Sequence, residues 1–197
     1  MADNLKMDPA RIARLRDPAR LEQVDPERAL EVVTPYGSGP IVDVGAGVGF
    51  VSLPFAKRFP ESRVIACDLL PGMLEALALG AREQGLQNVE TAPMADPVSL
   101  TLRDDVASML IMLQVHHELD DAPGLLRSCL RVLKPGAPIV IIDWKGEDLP
   151  GMPSGGRRVA ESSIVRDLSD SGFVNVACHA IYRFHSTVVG IAPDKAK

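Results

Sequence analysis

The chain has 197 residues, of which 46 % are hydrophobic, 24 % charged and only 4 % aromatic, with a formal net charge of -5. That size and apolar content support one sizeable core and exclude a disordered chain. The acidic balance argues against a phosphate-backbone binder and the scarce aromatics against a base-stacking surface, so no nucleic-acid partner is expected.

Residues 1–34 read as a helical extension that covers the remainder. Asp8-Pro9, Asp17-Pro18 and Asp25-Pro26 each place an acid before proline, a helix-start signal. Nothing in this segment resembles a signal peptide, and no run reaches the roughly 18 apolar residues that span a bilayer. The expectation is a cytoplasmic protein without membrane insertion. Cys67, Cys129 and Cys178 are odd in number and far apart, which predicts free thiols rather than a disulfide framework or zinc site. No metal is expected.

From residue 35 to 197 short apolar runs alternate with helical periods. Strands are predicted at 41–44, 63–67, 89–91, 106–113 and 138–143. Helices are predicted at 50–59, from Gly72 to the stop at Gly85, through Leu125, Leu126, Cys129 and Leu133, and at 158–171. Two closing strands at 173–180 and 184–191 are separated by few residues and should be antiparallel neighbours. Uninterrupted apolar strands between helices require a sheet covered on both faces. The fold class is therefore α/β: a doubly wound, Rossmann-like, three-layer sheet, mostly parallel, with an antiparallel strand near its C-terminal end. Ligands in such a sheet bind beyond the carboxyl ends of the strands.

The stretch Asp43-Val44-Gly45-Ala46-Gly47-Val48-Gly49-Phe50 follows the first strand and opens a helix. Glycines permit a turn at positive φ and close approach of a ligand, and a helix start offers free N–H groups. The dinucleotide pattern G-x-G-x-x-G needs glycine at position 50, which is Phe50, so a nicotinamide oxidoreductase is disfavoured.

With its acid two residues before the first glycine, VDVGAGVGF resembles motif I of the class I S-adenosylmethionine-dependent methyltransferases, in particular the short bacterial group related to the quinone-biosynthesis enzymes. VIACDLLPGML, LQVHHELDD, RVLKPGAPIVIIDWK and SGF resemble later blocks of that family, in order. The resemblance implies S-adenosylmethionine as cofactor and S-adenosylhomocysteine as product. It implies contacts from Asp43, Gly45, Ala46, Gly47 and Gly49 to the methionyl end, from Asp68 to the ribose, and from Leu69 to adenine. Leu113 and Gln114 would border the methyl group. The family's usual Gly-Asp-Ala after the third strand is Pro93-Met94-Ala95-Asp96 here; the resemblance implies Met94 or Ala95 against the adenine ring and Asp96 at its amino group, with the register open by about one residue.

Methyl transfer depends mainly on alignment, and a base is needed only where the acceptor loses a proton. His116 or His117 could serve as that base, or instead cap a helix or touch the acceptor. Trp144 offers a flat wall, while Lys145 and Arg158, with Arg157 after the 150–156 stretch, could bind an anionic acceptor under a lid. The leading expectation is a methyltransferase with a small-molecule acceptor; the alternative is a cofactor-binding sensor or complex subunit without efficient turnover. So little cover material favours a small acceptor, or an open pocket completed by a partner or second copy.

Overall fold

A computed structural model describes residues 9–152 and 156–194. The N-terminal segment carries α1 (Pro9–Leu15), α2 (Arg20–Gln23) and a 3-10 helix (Pro26–Glu31). Then follow β1 (Ile41–Val44), α3 (Ser52–Arg58), β2 (Val64–Asp68), α4 (Pro71–Glu83), β3 (Val89–Pro93) and β4 (Met109–Leu113). A short 3-10 turn at His116–Glu118 leads to α5 (Ala122–Val132), β5 (Pro138–Trp144), α6 (Glu161–Asp170), β6 (Val174–His179) and β7 (His185–Ile191).

The seven strands form one sheet in the order β3-β2-β1-β4-β5-β7-β6. Pairs from β3 to β5 are parallel, and β7 runs antiparallel to both β5 and β6. The antiparallel strand thus lies inside the sheet, one place from its edge, because the short connection after β6 returns the chain between β6 and β5.

Alternation along the central strands distributes side chains to two cores. Leu110 and Met112 of β4 and Ile139 and Ile141 of β5 pack with Leu125, Leu126 and Cys129 of α5 and Ile164 and Leu168 of α6. Met109, Ile111 and Leu113, with Val140 and Ile142, face Phe55 of α3 and Val24 and Ala29 of the N-terminal segment. Within that segment the Asp25 side chain caps the 3-10 helix by accepting the Glu27 N–H at 3.0 Å. The Tyr182 hydroxyl also donates to the Asp25 carbonyl at 2.6 Å.

Several boundaries differ from the sequence expectation. α3 begins at Ser52 rather than 50, because residues 48–51 still turn out of the glycine loop. β4 begins at Met109, since Val106 and Ala107 donate their N–H groups to the Val132 carbonyl at the end of α5. α6 begins at Glu161, as Val159 bridges in parallel to Lys145. Asp17 accepts the Ala19 N–H, yet α2 starts only at Arg20. The cap at Asp8 and positions 153–155 of the expected lid lie outside the described residues. Cys67 and Cys129 are buried free thiols as expected, whereas the free thiol of Cys178 is exposed on edge strand β6.

Candidate functional site

The carboxyl ends of β1, β2, β4 and β5 open into a cavity of about 690 Å³, within the range of roughly 300–1,000 Å³ usual for small-ligand sites. Two of the loop glycines build its floor. Gly45 has φ +73°, and a Cβ there would collide with the Val115 side chain. Gly47 has φ +53°, and a Cβ there would meet nothing within 4 Å, so its backbone faces open cavity. Gly49 acts differently: a side chain would collide with Leu53 and Leu77, so this glycine brings α3 against α4 and stands away from the cavity.

Two acids flank the loop. Asp43 is buried and accepts from the Ser52 hydroxyl at 2.6 Å. Burial pushes its carboxyl up to about 7, with the Asp68 charge adding to the rise and the Ser52 hydrogen bond opposing it. Asp68 accepts the Gly47 N–H at 2.8 Å and the Leu70 N–H at 2.9 Å, which ties the end of β2 to the glycine loop. Leu69 and Met94 also line the cavity. Ala95 and Asp96 do not; Pro97 and Val98 take that position, because Asp96 folds back to accept the Val98 N–H at 2.9 Å.

Beyond β4, the two histidines part company. His116 is buried away from the cavity, its Nε2 3.3 Å from Asp167 of α6, and burial lowers its pKa despite that neighbour. His117 lines the cavity. Its Nδ1 lies 2.6 Å from Asp143 Oδ1, its backbone N–H donates to Asp143 Oδ2 at 3.0 Å, and its Nε2 is 3.3 Å from Glu118. Burial works against the charged ring, but the Asp143 hydrogen bond and charge, with Glu118, outweigh it and raise the His117 pKa. Asp143 is fully buried at the end of β5 and also accepts the Trp144 N–H at 2.7 Å. This pair is a histidine oriented by a carboxylate, the arrangement suited to general-base work.

Leu113, Gln114 and Trp144 line the same cavity. Gln114 has φ +56°, an uncommon conformation for a residue with a side chain. It thereby reaches two partners at 2.8 Å: its Oε1 accepts from Arg20 Nη2, and its Nε2 lies against His185 Nε2. Because the amide oxygen faces the guanidinium, the amide nitrogen must be the donor to His185. Burial pushes the His185 pKa down to about 4, consistent with a neutral ring accepting there. Trp144 stacks on that ring with centroids 4.0 Å apart.

Lys145 and Arg158 do not reach this site. They line a second cavity beside α6, where Lys145 Nζ donates to the Arg183 carbonyl at 3.0 Å and Arg158 pairs with Asp148 at 2.6 Å. Arg157 lies near Glu118 and Asp120, 3.7 Å from the latter. The arginines that line the main cavity are Arg11, Arg14 and Arg20, all from the N-terminal segment. The sequence marks that segment as a cover without singling out Arg20, because nothing local distinguishes it from a surface arginine. Asp143 had one legible signal, an acid closing a fully apolar strand.

Among the described residues no group of histidine, cysteine and carboxylate side chains could hold a metal. None of the helices there is long and apolar enough to cross a membrane.

The methyltransferase-domain family matches residues 41–136. A crystal structure of an S-adenosylmethionine-dependent methyltransferase from Aquifex aeolicus superposes with TM-score 0.85 at 30 % identity, over 95 % of this chain and 100 % of that one. The malonyl-[acyl-carrier protein] O-methyltransferase of Hahella chejuensis is 35 % identical over 51 % of this chain and 34 % of its own length. The ubiquinone/menaquinone biosynthesis C-methyltransferase of Dinoroseobacter shibae is 24 % identical over 67 % of this chain and 53 % of its own. The chain thus spans about a quarter to a half of the length of the curated relatives it matches. Fold, glycine loop and likeness to the Aquifex enzyme together define the class: the chain belongs to the class I S-adenosylmethionine-dependent methyltransferases. S-adenosylmethionine is the cofactor of that family.

Proposed function

We propose that this methyltransferase acts on a small-molecule acceptor in the cavity at the carboxyl ends of β1, β4 and β5, with His117 as general base. The observation that carries the reading is the 2.6 Å contact between His117 Nδ1 and buried Asp143, beside Trp144 on the wall of the glycine-loop cavity.

The residues present fit the cofactor. The Gly47 backbone faces free space, and buried Asp43 suits an ammonium group. In this reading Gly45, Ala46 and Gly47 hold the methionyl end and Asp68 the ribose hydroxyls. Leu69, Met94, Pro97 and Val98 wall the adenine, and Leu113 and Gln114 border the methyl position. S-adenosylmethionine, when bound, supplies a methyl group made electrophilic by its sulfonium.

The protein's own part is placement and proton transfer. Asp143 accepts the Nδ1 proton of His117, which leaves Nε2 as the basic nitrogen. That nitrogen takes the proton of a hydroxyl, thiol or carbon acid as the acceptor attacks, and Glu118 stabilises the resulting imidazolium. Trp144 supports the flat side of the acceptor. The N-terminal segment, over its described residues 9–34, acts as the cover that restricts acceptor size.

The test is calorimetry with S-adenosylhomocysteine, followed by incubation with labelled S-adenosylmethionine and fractionated small metabolites. A labelled small product that disappears in His117→Ala is expected. Label transfer only to macromolecules would overturn the small-molecule reading.

A further inference from the structure

The charges around the main cavity are unequally satisfied. Each lining carboxylate has a donor or basic neighbour: Asp43 has the Ser52 hydroxyl and Asp68 two backbone N–H groups. Glu118 has His117 at 3.3 Å, Asp120 has Arg157 at 3.7 Å, and Asp121 accepts the Gly124 N–H at 2.8 Å.

Arg20 is the contrary case. It is half-buried on the cavity wall, with its guanidinium carbon 4.0 Å from the Phe50 ring centroid. Nη1 donates to the Leu15 carbonyl and Nη2 to the Gln114 amide oxygen, both at 2.8 Å. All three partners are neutral, and no carboxylate among the described residues lies within ion-pair distance of it. A guanidinium has five N–H donors, so most of the fork remains available. Burial lowers its pKa, the sign of a charge held without compensation. Arginine is rarely buried unpaired, and its planar fork matches a carboxylate or phosphate. Exposed Arg14 adds a second positive charge to the same wall.

We infer that the methyl acceptor carries an anionic group, a carboxylate or phosphate, seated on Arg20 with Arg14 beside it. This rests on the small-molecule reading above. The cofactor's own carboxylate is the other source of the same chemistry. The acceptor is favoured because the hydrogen-bonded chain from Arg20 runs through Gln114 to His185, and His185 stacks on Trp144. It therefore leads toward Trp144 of β5, the wall assigned above to the acceptor. Phe50 and Trp144 supply flat apolar walls, so aromatic acids are suitable probes.

The experiment uses the fluorescence of Trp144, the single tryptophan of the chain, with calorimetry in parallel. Wild-type, Arg20→Gln, Arg20→Lys and Arg14→Gln proteins are titrated with S-adenosylhomocysteine and with methylthioadenosine, which lacks the carboxylate. The S-adenosylhomocysteine-loaded proteins are then titrated with benzoate, its neutral amide benzamide, and phenyl phosphate. Benzoate or phenyl phosphate should bind loaded wild type at least about tenfold tighter than benzamide, as expected for one charge-assisted hydrogen-bonded pair. Arg20→Gln should abolish that preference, with Arg20→Lys retaining part of it and Arg14→Gln weakening it less. If Arg20→Gln instead weakens S-adenosylhomocysteine but not methylthioadenosine, the arginine reads the cofactor and the inference falls. It also falls if loaded wild type shows no preference for the anionic probes, or if Arg20→Gln leaves that preference intact. Wild type that fails to bind S-adenosylhomocysteine would overturn the cofactor-site reading, a separate outcome.

Discussion

At Gly47 the space above the backbone is empty for 4 Å, whereas at Gly45 and Gly49 it is filled by the protein's own side chains. Gly47→Val should therefore abolish S-adenosylhomocysteine binding in calorimetry while the far-ultraviolet circular dichroism stays native. The positive φ adds a conformational cost of about 1–2 kcal/mol. Asp68→Ala removes the acceptor for two backbone N–H groups as well as the proposed ribose contact. A loss of about 1–3 kcal/mol in cofactor affinity is expected, and wild-type affinity would contradict the role. His117 gives a pH prediction. Its pKa is raised above the ordinary value of 6.5, and a base must be neutral, so kcat/KM should climb with pH on a limb above 6.5. Asp143→Asn should move that limb to lower pH, and an unmoved limb would remove His117 as the base. Stability shows the opposite sign: the charged pairing contributes fully below the unfolded-state pKa and fades as pH rises through the raised one. His116 and His117 adjoin in sequence and have the same ionisable ring. Only their packing, one against α6 and one on the cavity, separates them.

The elements most legible in the sequence are β1, β4 and β5, whose short, mostly apolar runs follow from burial on both faces. The ends were less legible. Phe50 continues an apolar helical pattern yet serves the cavity beneath Arg20, and Val106 and Ala107 continue an apolar strand yet bind the end of α5. The N-terminal segment is the element whose role changes most. Its Asp-Pro caps are visible as local chemistry, but its seating depends on Tyr182, 157 positions from Asp25 along the chain. Tyr182→Phe should lower global stability by about 0.5–1.5 kcal/mol. It should also speed trypsin cleavage at Arg14, Arg16 or Arg20; cleavage at the wild-type rate would show that other contacts fix the segment.

For the whole molecule, the strand order places the switch between β1 and β4, and the cavity opens there because crossovers leave the sheet in opposite directions. Ile141, fully buried between β4, β7 and the α5/α6 layer, tests how far that core is one cooperative unit. Ile141→Ala should cost about 2–5 kcal/mol in urea unfolding, with an unchanged slope if unfolding is two-state. A split transition would show that the layers unfold separately.

The sequence by itself determined the α/β class and the glycine loop, because each is written in neighbouring residues: apolar period, turn chemistry and short spacing; the family was legible only through the resemblance of its motif blocks. Tertiary structure alone decided which glycine faces the open cavity, which histidine meets Asp143, and that Arg20 rather than Lys145 or Arg158 lines the main cavity. Those choices depend on contacts between residues as far as 94 positions apart, such as Arg20 with Gln114. Local pattern carries no record of them, since burial and pairing at that distance are set by sheet order and side-chain packing.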